Sequence, residues 1–393
     1  MNKKPHSMHR FSPASVVTNN DPAYIICAED LIMLSAKRLA AFDPCVREAA
    51  YTLKEKYGRF IIFGVGGSSL GGQVIQACSA QETIQFIENI DPDQMMGFLR
   101  DFDPRSMGVV VISKSGYTPE TIAQLLSIVP LYYERGYPEG VADIVVLSTD
   151  VDTPLRRFSH KHGCHFIPHD PEIGGRFSLF SSTGAIVAAL LDFDMAQFRA
   201  GAQEVLVNVH DLPGAHHFLQ AAQATISNHV CMYYGDRLRS LAYWYRQLWS
   251  ESLGKDGKGT ELSISRGIVD QHSQIQLYLD GPRVNYFTFF CSEEQKQDLP
   301  VMMSDDPELA FLSQKTLAEL FHAEKEATIQ ELEKKGFPIR VVTLEDTPFM
   351  WGRLCGLLMA EVVLIAKNLG VNPYNQPAVE GAKIRTRNIL EAR

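Results

Sequence analysis

The sequence predicts an α/β protein of two packed domains, each a mainly parallel sheet flanked by helices. Three observations predict it. The chain has 393 residues, too many for one ordinary compact domain and enough for two sizeable cores. Short apolar, β-branched runs alternate with helical patterns, the signature of strands buried on both faces. Two of these runs end in turns rich in glycine or hydroxyls, as sheets of this class do where they hold anions.

Residues 1–20 are polar and without periodicity and read as a loose arm; they carry basic residues but no apolar core segment, so no signal peptide is expected. A helical stretch follows over 28–56. Residues 59–64 (RFIIFG) read as a strand and 68–79 as a helix. Residues 108–113 (GVVVIS) form the next strand, with a helix from Pro119, and 142–148 (ADIVVLS) form a third. An apolar helix over 183–192 closes this half. The second half starts near Leu212 with long helical patterns over 216–253. Its strand candidates are 274–279, 284–290 and 339–344, and a helix over 349–369 follows. The expected division is an arm at 1–40, a first domain at 41–200 and a second at 201–393, without a strong internal repeat.

A net charge of -9 without a long basic run argues against a nucleic-acid partner. The apolar run 355–366 is interrupted by Glu361 and reads as a core helix rather than a membrane span. The 7 cysteines are scattered without a CxxC pair, which predicts reduced thiols and a cytoplasmic location.

Six segments carry candidate chemistry. The turn from Gly64 to Gly72 (GVGGSSLGG) exposes backbone N–H groups at a helix start. It matches neither a dinucleotide fingerprint, whose third glycine would fall at Ser69, nor an NTPase phosphate loop. Ser113-Lys114-Ser115-Gly116-Tyr117-Thr118-Pro119 offers three hydroxyls and an ammonium at a helix N-terminus, a fit for a phosphomonoester; it can equally be an N-cap cluster. Arg176, on a Gly-Gly turn, can reach a developing oxyanion. Gln247 and Glu251 share a helix face beside the apolar stripe of Leu241, Trp244, Tyr245 and Leu248. Desolvation there would push the carboxylate's pKa upward, toward that of a general base. His272 is a possible proton shuttle or a structural histidine, and Gln376 and Lys383, seven residues apart, can address one ligand if 377 onward is helical. The histidines between His160 and His169 have spacings that match no zinc motif, and no metal or other cofactor is expected.

In this order the blocks GGRFSLFS (174–181), YRQLWSESLGK (245–255), DQHSQIQLYLDG (270–281) and NPYNQPAVEGAK (372–383) resemble the glucose-6-phosphate isomerase family, over about residues 59–385. The resemblance implies two sugar isomerase (SIS) domains and a homodimer with shared active sites acting on a hexose 6-phosphate without cofactor. It implies that Glu251 moves the proton between C1 and C2, that Arg176 stabilises a cis-enediolate, and that His272 and Lys383 serve ring opening, His272 reaching into a second copy. Glu120 would orient that histidine. Ser113, Lys114, Ser115 and Thr118 would bind the phosphate, and Gly67, Ser68, Gln247 and Gln376 would line the sugar pocket. Two positions depart from the family pattern: Tyr117 stands where threonine is frequent, and Asp270 where glycine is. The chain is also shorter than the longer members, which implies reduced dimer arms. The alternatives are a dual phosphoglucose/phosphomannose isomerase, a non-catalytic sugar-phosphate sensor on the same fold, and an α/β oxidoreductase.

Overall fold

Apolar runs such as MGVVVI at Met107–Ile112 are buried along nearly their whole length and become the inner strands of two five-stranded sheets. The computed structural model describes residues 9–12, 26, 28–207, 212–222, 226–293, 297–303 and 305–392. In chain order the first half holds β1 (His9–Ser12), α1 (Ala36–Leu39), α2 (Asp43–Lys56), β2 (Arg59–Phe63), α3 (Leu70–Ser79), β3 (Ile84–Ile87), α4 (Pro92–Asp101), β4 (Met107–Ile112), α5 (Pro119–Glu134), β5 (Val145–Ser148), α6 (Pro154–His162), β6 (His165–Pro168), α7 (Ser182–Leu190) and α8 (Met195–Val207). The second holds α9 (Pro213–Ala221), β7 (Asn228–Tyr234), α10 (Arg239–Leu253), β8 (Glu261–Gly267), α11 (Ile275–Asp280), β9 (Asn285–Ser292), α12 (Leu317–Lys334), β10 (Ile339–Leu344), α13 (Pro348–Leu369) and α14 (Glu380–Glu391).

The first sheet has the order β3-β2-β4-β5-β6 and is parallel throughout. The second has the order β1-β10-β9-β7-β8 and is parallel except for β1, which pairs antiparallel with β10. Helix starts are set locally: Thr153 accepts from the Arg156 N–H at the start of α6, and Thr316 and Glu319 form a capping box on α12. The longest helix, α13, has 22 residues and is apolar enough to cross a membrane by length and composition, but 83% of its apolar window is buried inside the fold. It packs against α8, α9 and α10, while α10 also packs against α3, so α10 lies between the two halves.

The structure corrects four expectations. Residues 274–279 belong to a helix, α11, rather than a strand. Six residues reading QIQLYL satisfy a period of two, but Ile275, Tyr278 and Leu279 also lie three and four apart, and this helical face packs into the second core while Leu277 stays exposed. The pattern over 216–253 is not continuously helical: it contains β7, which pairs with β8 and β9 and is buried at six of its seven positions. Its run HVCMYY is apolar on both faces, and periodicity cannot separate such a strand from a buried helix. Strands β3, β6 and β8 were not anticipated. Finally, His9–Ser12 within the expected arm is an edge strand, held by its register with Ile339–Val342 and a bond from Arg340 Nε to His9 Nδ1 at 3.3 Å. The rest of residues 1–20 lies outside the described residues.

Candidate active site

In the first sheet the chain leaves β2 toward β3 on one side and returns through β4 toward β5 on the other. The carboxyl ends of β2 and β4 therefore face the crevice where strand order reverses, the usual ligand position in open parallel sheets. The turns carrying Gly67-Ser68 and Ser113–Thr118 follow these two strands. In the second turn Gly116 adopts a left-handed φ of 67°, and a Cβ there would fall 2.3 Å from Thr153 Oγ1. Ser113 and Thr118 share a hydrogen bond at 2.8 Å, and Ser113 Oγ also accepts from the Gly116 N–H at 3.2 Å. Ser115 Oγ accepts from the Tyr117 N–H at 3.2 Å. The Tyr117 ring is exposed, with its hydroxyl near the Asp152 carbonyl at 3.4 Å.

Lys114 ties this turn to the segment before Arg176: its Nζ donates to the Ile173 carbonyl at 2.9 Å. Burial pulls its pKa down; Asp170 opposes that shift and the nearby Arg176 guanidinium adds to it. The turn at Gly67 is pressed against the Gly174-Gly175-Arg176 turn, where a Cβ on Gly67 would lie 2.2 Å from the Gly175 carbonyl carbon. Glycine at 67 is needed for this approach, which Ser178 Oγ reinforces by donating to the Gly67 carbonyl at 3.2 Å.

Arg176 is the centre of the cluster. It is buried, and burial lowers its pKa, against the pull of Glu251. Its Nε donates to Ser252 Oγ at 2.9 Å, and its Nη1 donates to Glu251 Oε2 at 3.1 Å and to the Gln376 side-chain oxygen. Its Nη2 donates to the carbonyls of Pro373 and, at 3.2 Å, Asn375. The other Glu251 oxygen accepts from Gln247 Nε2 at 2.8 Å, as expected for residues four apart on α10. The carboxylate thus faces Arg176 and Gln247, not the apolar stripe, and its side chain is 31% exposed against 0% for Arg176. The arrangement provides a fixed positive charge, a carboxylate open to solvent, and hydroxyls and amides for an anion.

Gly67, Arg176, Gln247, Glu251 and Gln376 are brought into one cluster, with the phosphate-type turn beside it through Lys114. Ser68 lies half-buried in the same glycine turn. Glu120 lies half-buried in the first turn of α5. His272 follows β8 at the edge of the second sheet and is exposed. Lys383 is exposed on α14, with its Nζ 2.7 Å from Glu380 Oε1. Neither joins the Arg176 cluster within one chain. Sequence reasoning missed Ser252 and the carbonyls of Pro373 and Asn375. Ser252 stands inside the block 245–255 and could have been found there, whereas backbone acceptors have no side-chain signature. The histidines near His160 go elsewhere: His162 packs tilted against Phe158 at 4.5 Å between ring centroids, and His169 Nδ1 bonds to the Asp170 carbonyl at 2.8 Å.

The fold has solved counterparts. A hypothetical protein of Thermus thermophilus superposes with a TM-score of 0.80 at 29% identity, covering 92% of this chain and 94% of its own. A glucose-6-phosphate isomerase of Chlamydia trachomatis shares the fold with a TM-score of 0.72 at 20% identity, covering 90% of this chain and 73% of its own. Two mainly parallel sheets flanked by helices are a fold of the SIS type. Residues 48–335 match the family model of phosphoglucose isomerase, and the chain belongs to that family. A glucose-6-phosphate isomerase of Rubrobacter xylanophilus is 33% identical over 347 residues, covering 82% of this chain and 80% of that protein.

Proposed function

We infer that this protein interconverts glucose 6-phosphate and fructose 6-phosphate. The observation that carries the reading is the buried Arg176 guanidinium bonded to the half-open Glu251 carboxylate, in a chain of the phosphoglucose isomerase family. In this reading Glu251 takes the proton from C2 of the open-chain aldose and returns it to C1, so one carboxylate serves both directions. Arg176 supplies fixed positive charge where the enediolate oxygens develop. Ser113, Lys114, Ser115 and Thr118 hold the phosphate away from the reacting carbons, so its binding energy goes into orientation.

We further propose a homodimer. His272 and Lys383 lie apart from the cluster in a single chain, and ring opening needs a proton donor and acceptor near it. A second copy that lends His272 would complete the site, with Glu120 at the edge of the phosphate turn as its orienting partner. A cytoplasmic location is proposed on the free thiols of the six described cysteines.

The test is a coupled assay on fructose 6-phosphate, run beside mannose 6-phosphate. Formation of glucose 6-phosphate is expected. Turnover of neither hexose phosphate would sink the reading, and equal turnover of both would favour the dual isomerase.

A further inference from the structure

Lys255 has no role in the chemistry above, yet it lies directly behind it. Its half-buried side chain follows the carboxyl end of α10. The last carbonyls of a helix have no partner within it and carry its negative end. Lys255 Nζ donates to two of them, Glu251 at 2.8 Å and Ser252 at 2.8 Å, and to the carbonyl of Asn372 at 2.6 Å. Glu251 and Ser252 are also the residues whose side chains accept from Arg176. Asn372 begins the turn whose Pro373 and Asn375 carbonyls and Gln376 side chain are the remaining acceptors of that guanidinium.

We propose that Lys255 is a positioning residue for the isomerase centre: its ammonium fastens the 372–376 turn to the end of α10, so that acceptors from both segments close around Arg176. The proposal rests on the reading of Arg176 and Glu251 as the reacting centre. A neighbouring lysine offers an internal comparison. Lys258 in the same loop donates to the Leu369 carbonyl at 2.7 Å, which caps α13 just before the turn but touches none of the acceptors of Arg176.

The ammonium needs its proton. Three carbonyls use all three N–H groups of the charged form, and a neutral amine has only two to give. Burial and the nearby Arg176 lower the pKa of Lys255 to about 8, while Glu251 and Asp256 act in the opposite direction. The clamp is therefore complete below about pH 8 and loses a bond above it.

The test compares Lys255→Met, Lys255→Arg and Lys258→Met in the full chain. Lys255→Met should lower kcat about tenfold to a hundredfold through misplaced acceptors, while KM for fructose 6-phosphate changes less than about threefold because the phosphate turn is untouched. Lys258→Met should lower Tm and leave kcat within about twofold. In the unmodified enzyme kcat/KM should decline as pH rises past about 8, and Lys255→Arg, which stays charged, should recover part of the rate and lack this limb. That last comparison separates Lys255 from Lys114, which keeps its own titration in the variant. Independently of turnover, deuterium uptake over residues 372–379 should quicken at least about tenfold in Lys255→Met and not in Lys258→Met. Unchanged uptake in Lys255→Met, or an equal kcat loss in Lys258→Met, overturns the assignment. Should Lys255→Met fail to fold, the Lys255→Arg pH profile decides, and an alkaline limb unchanged from the unmodified enzyme overturns it. If the unmodified enzyme lacks isomerase activity, the functional reading falls while the exchange data still decide whether the clamp exists.

Discussion

Among the described residues two buried arginines pair with a glutamate, Arg176 and Arg340, and the pairs are built differently. Arg340 and Glu361 form a two-pronged pair at 2.8 and 3.0 Å, with side chains 2% exposed on both sides. Glu361 also accepts the Gly214 N–H at 2.9 Å, so both of its oxygens are engaged. Burial works against the charge on Arg340, but Glu361 together with Tyr245 and Tyr286 outweighs it and the pKa is raised. Arg176 and Glu251 meet through one contact at 3.1 Å, the carboxylate is 31% exposed, and burial leaves the pKa of Arg176 lowered. The first pair joins β10 to α13 and is shut away from solvent on both sides. The second keeps its cation buried and its carboxylate open, which is what a base acting beside a fixed positive charge requires.

The sharpest way to break this comparison is to neutralise each carboxylate without changing its shape. Glu251→Gln should lower kcat by about a thousandfold or more, with substrate affinity retained, because the base is lost while Arg176 keeps its other four acceptors. More than about a tenth of the kcat remaining would place the base elsewhere. Glu361→Gln should do the reverse, costing roughly 3–5 kcal/mol of stability by leaving the Arg340 charge buried and poorly paired, with kcat per folded molecule unchanged. Chemical denaturation paired with active-site titration reads both; a kcat defect in Glu361→Gln would mean that the core pair is coupled to the site.

A smaller effect concerns the phosphate turn. Thr118→Ala removes one hydroxyl from the Ser113–Thr118 pair and should raise KM for fructose 6-phosphate roughly tenfold to a hundredfold, weakening inhibition by inorganic phosphate in parallel. Slow turnover of unphosphorylated fructose should barely change. If both sugars suffer equally, the turn is structural.

The smallest signal tests what the open carboxylate awaits. Mixing inactive Glu251→Gln with inactive His272→Ala should return about a quarter of the unmodified activity after random subunit exchange, since half the dimers carry one intact site of two. A mixture that stays inactive, with exchange shown by mass, would mean that each chain uses its own histidine.

Much of this was legible in the chain, and unevenly so. The blocks around Arg176, Gln247, Glu251 and Gln376 could be picked out because their residue types suit one chemistry, and Gln247 with Glu251 could even be paired, since helical spacing fixes it. The two turns at the ends of β2 and β4 could be read from glycine, hydroxyl and proline placement after apolar runs. The second half was less legible. β7 hid among helical patterns because a strand buried on both faces lacks alternation, and α11 resembled a strand because six residues fit either period. The expectation that Glu251 lies against the apolar stripe failed in its detail: the stripe packs inward, and the carboxylate turns to Arg176 and Gln247.

By itself, then, the sequence determined the α/β class, the family and the list of candidate site residues, because propensity, capping and spacing act within a turn or two of chain. Only the tertiary structure decided that Arg176 meets Gln376, 200 residues away, together with two backbone carbonyls, and that a lysine behind them ties the two segments together. Contacts of that range depend on how α10 seats between the halves and where the chain emerges from α13. Those positions follow from the packing of two whole cores, which no local pattern records.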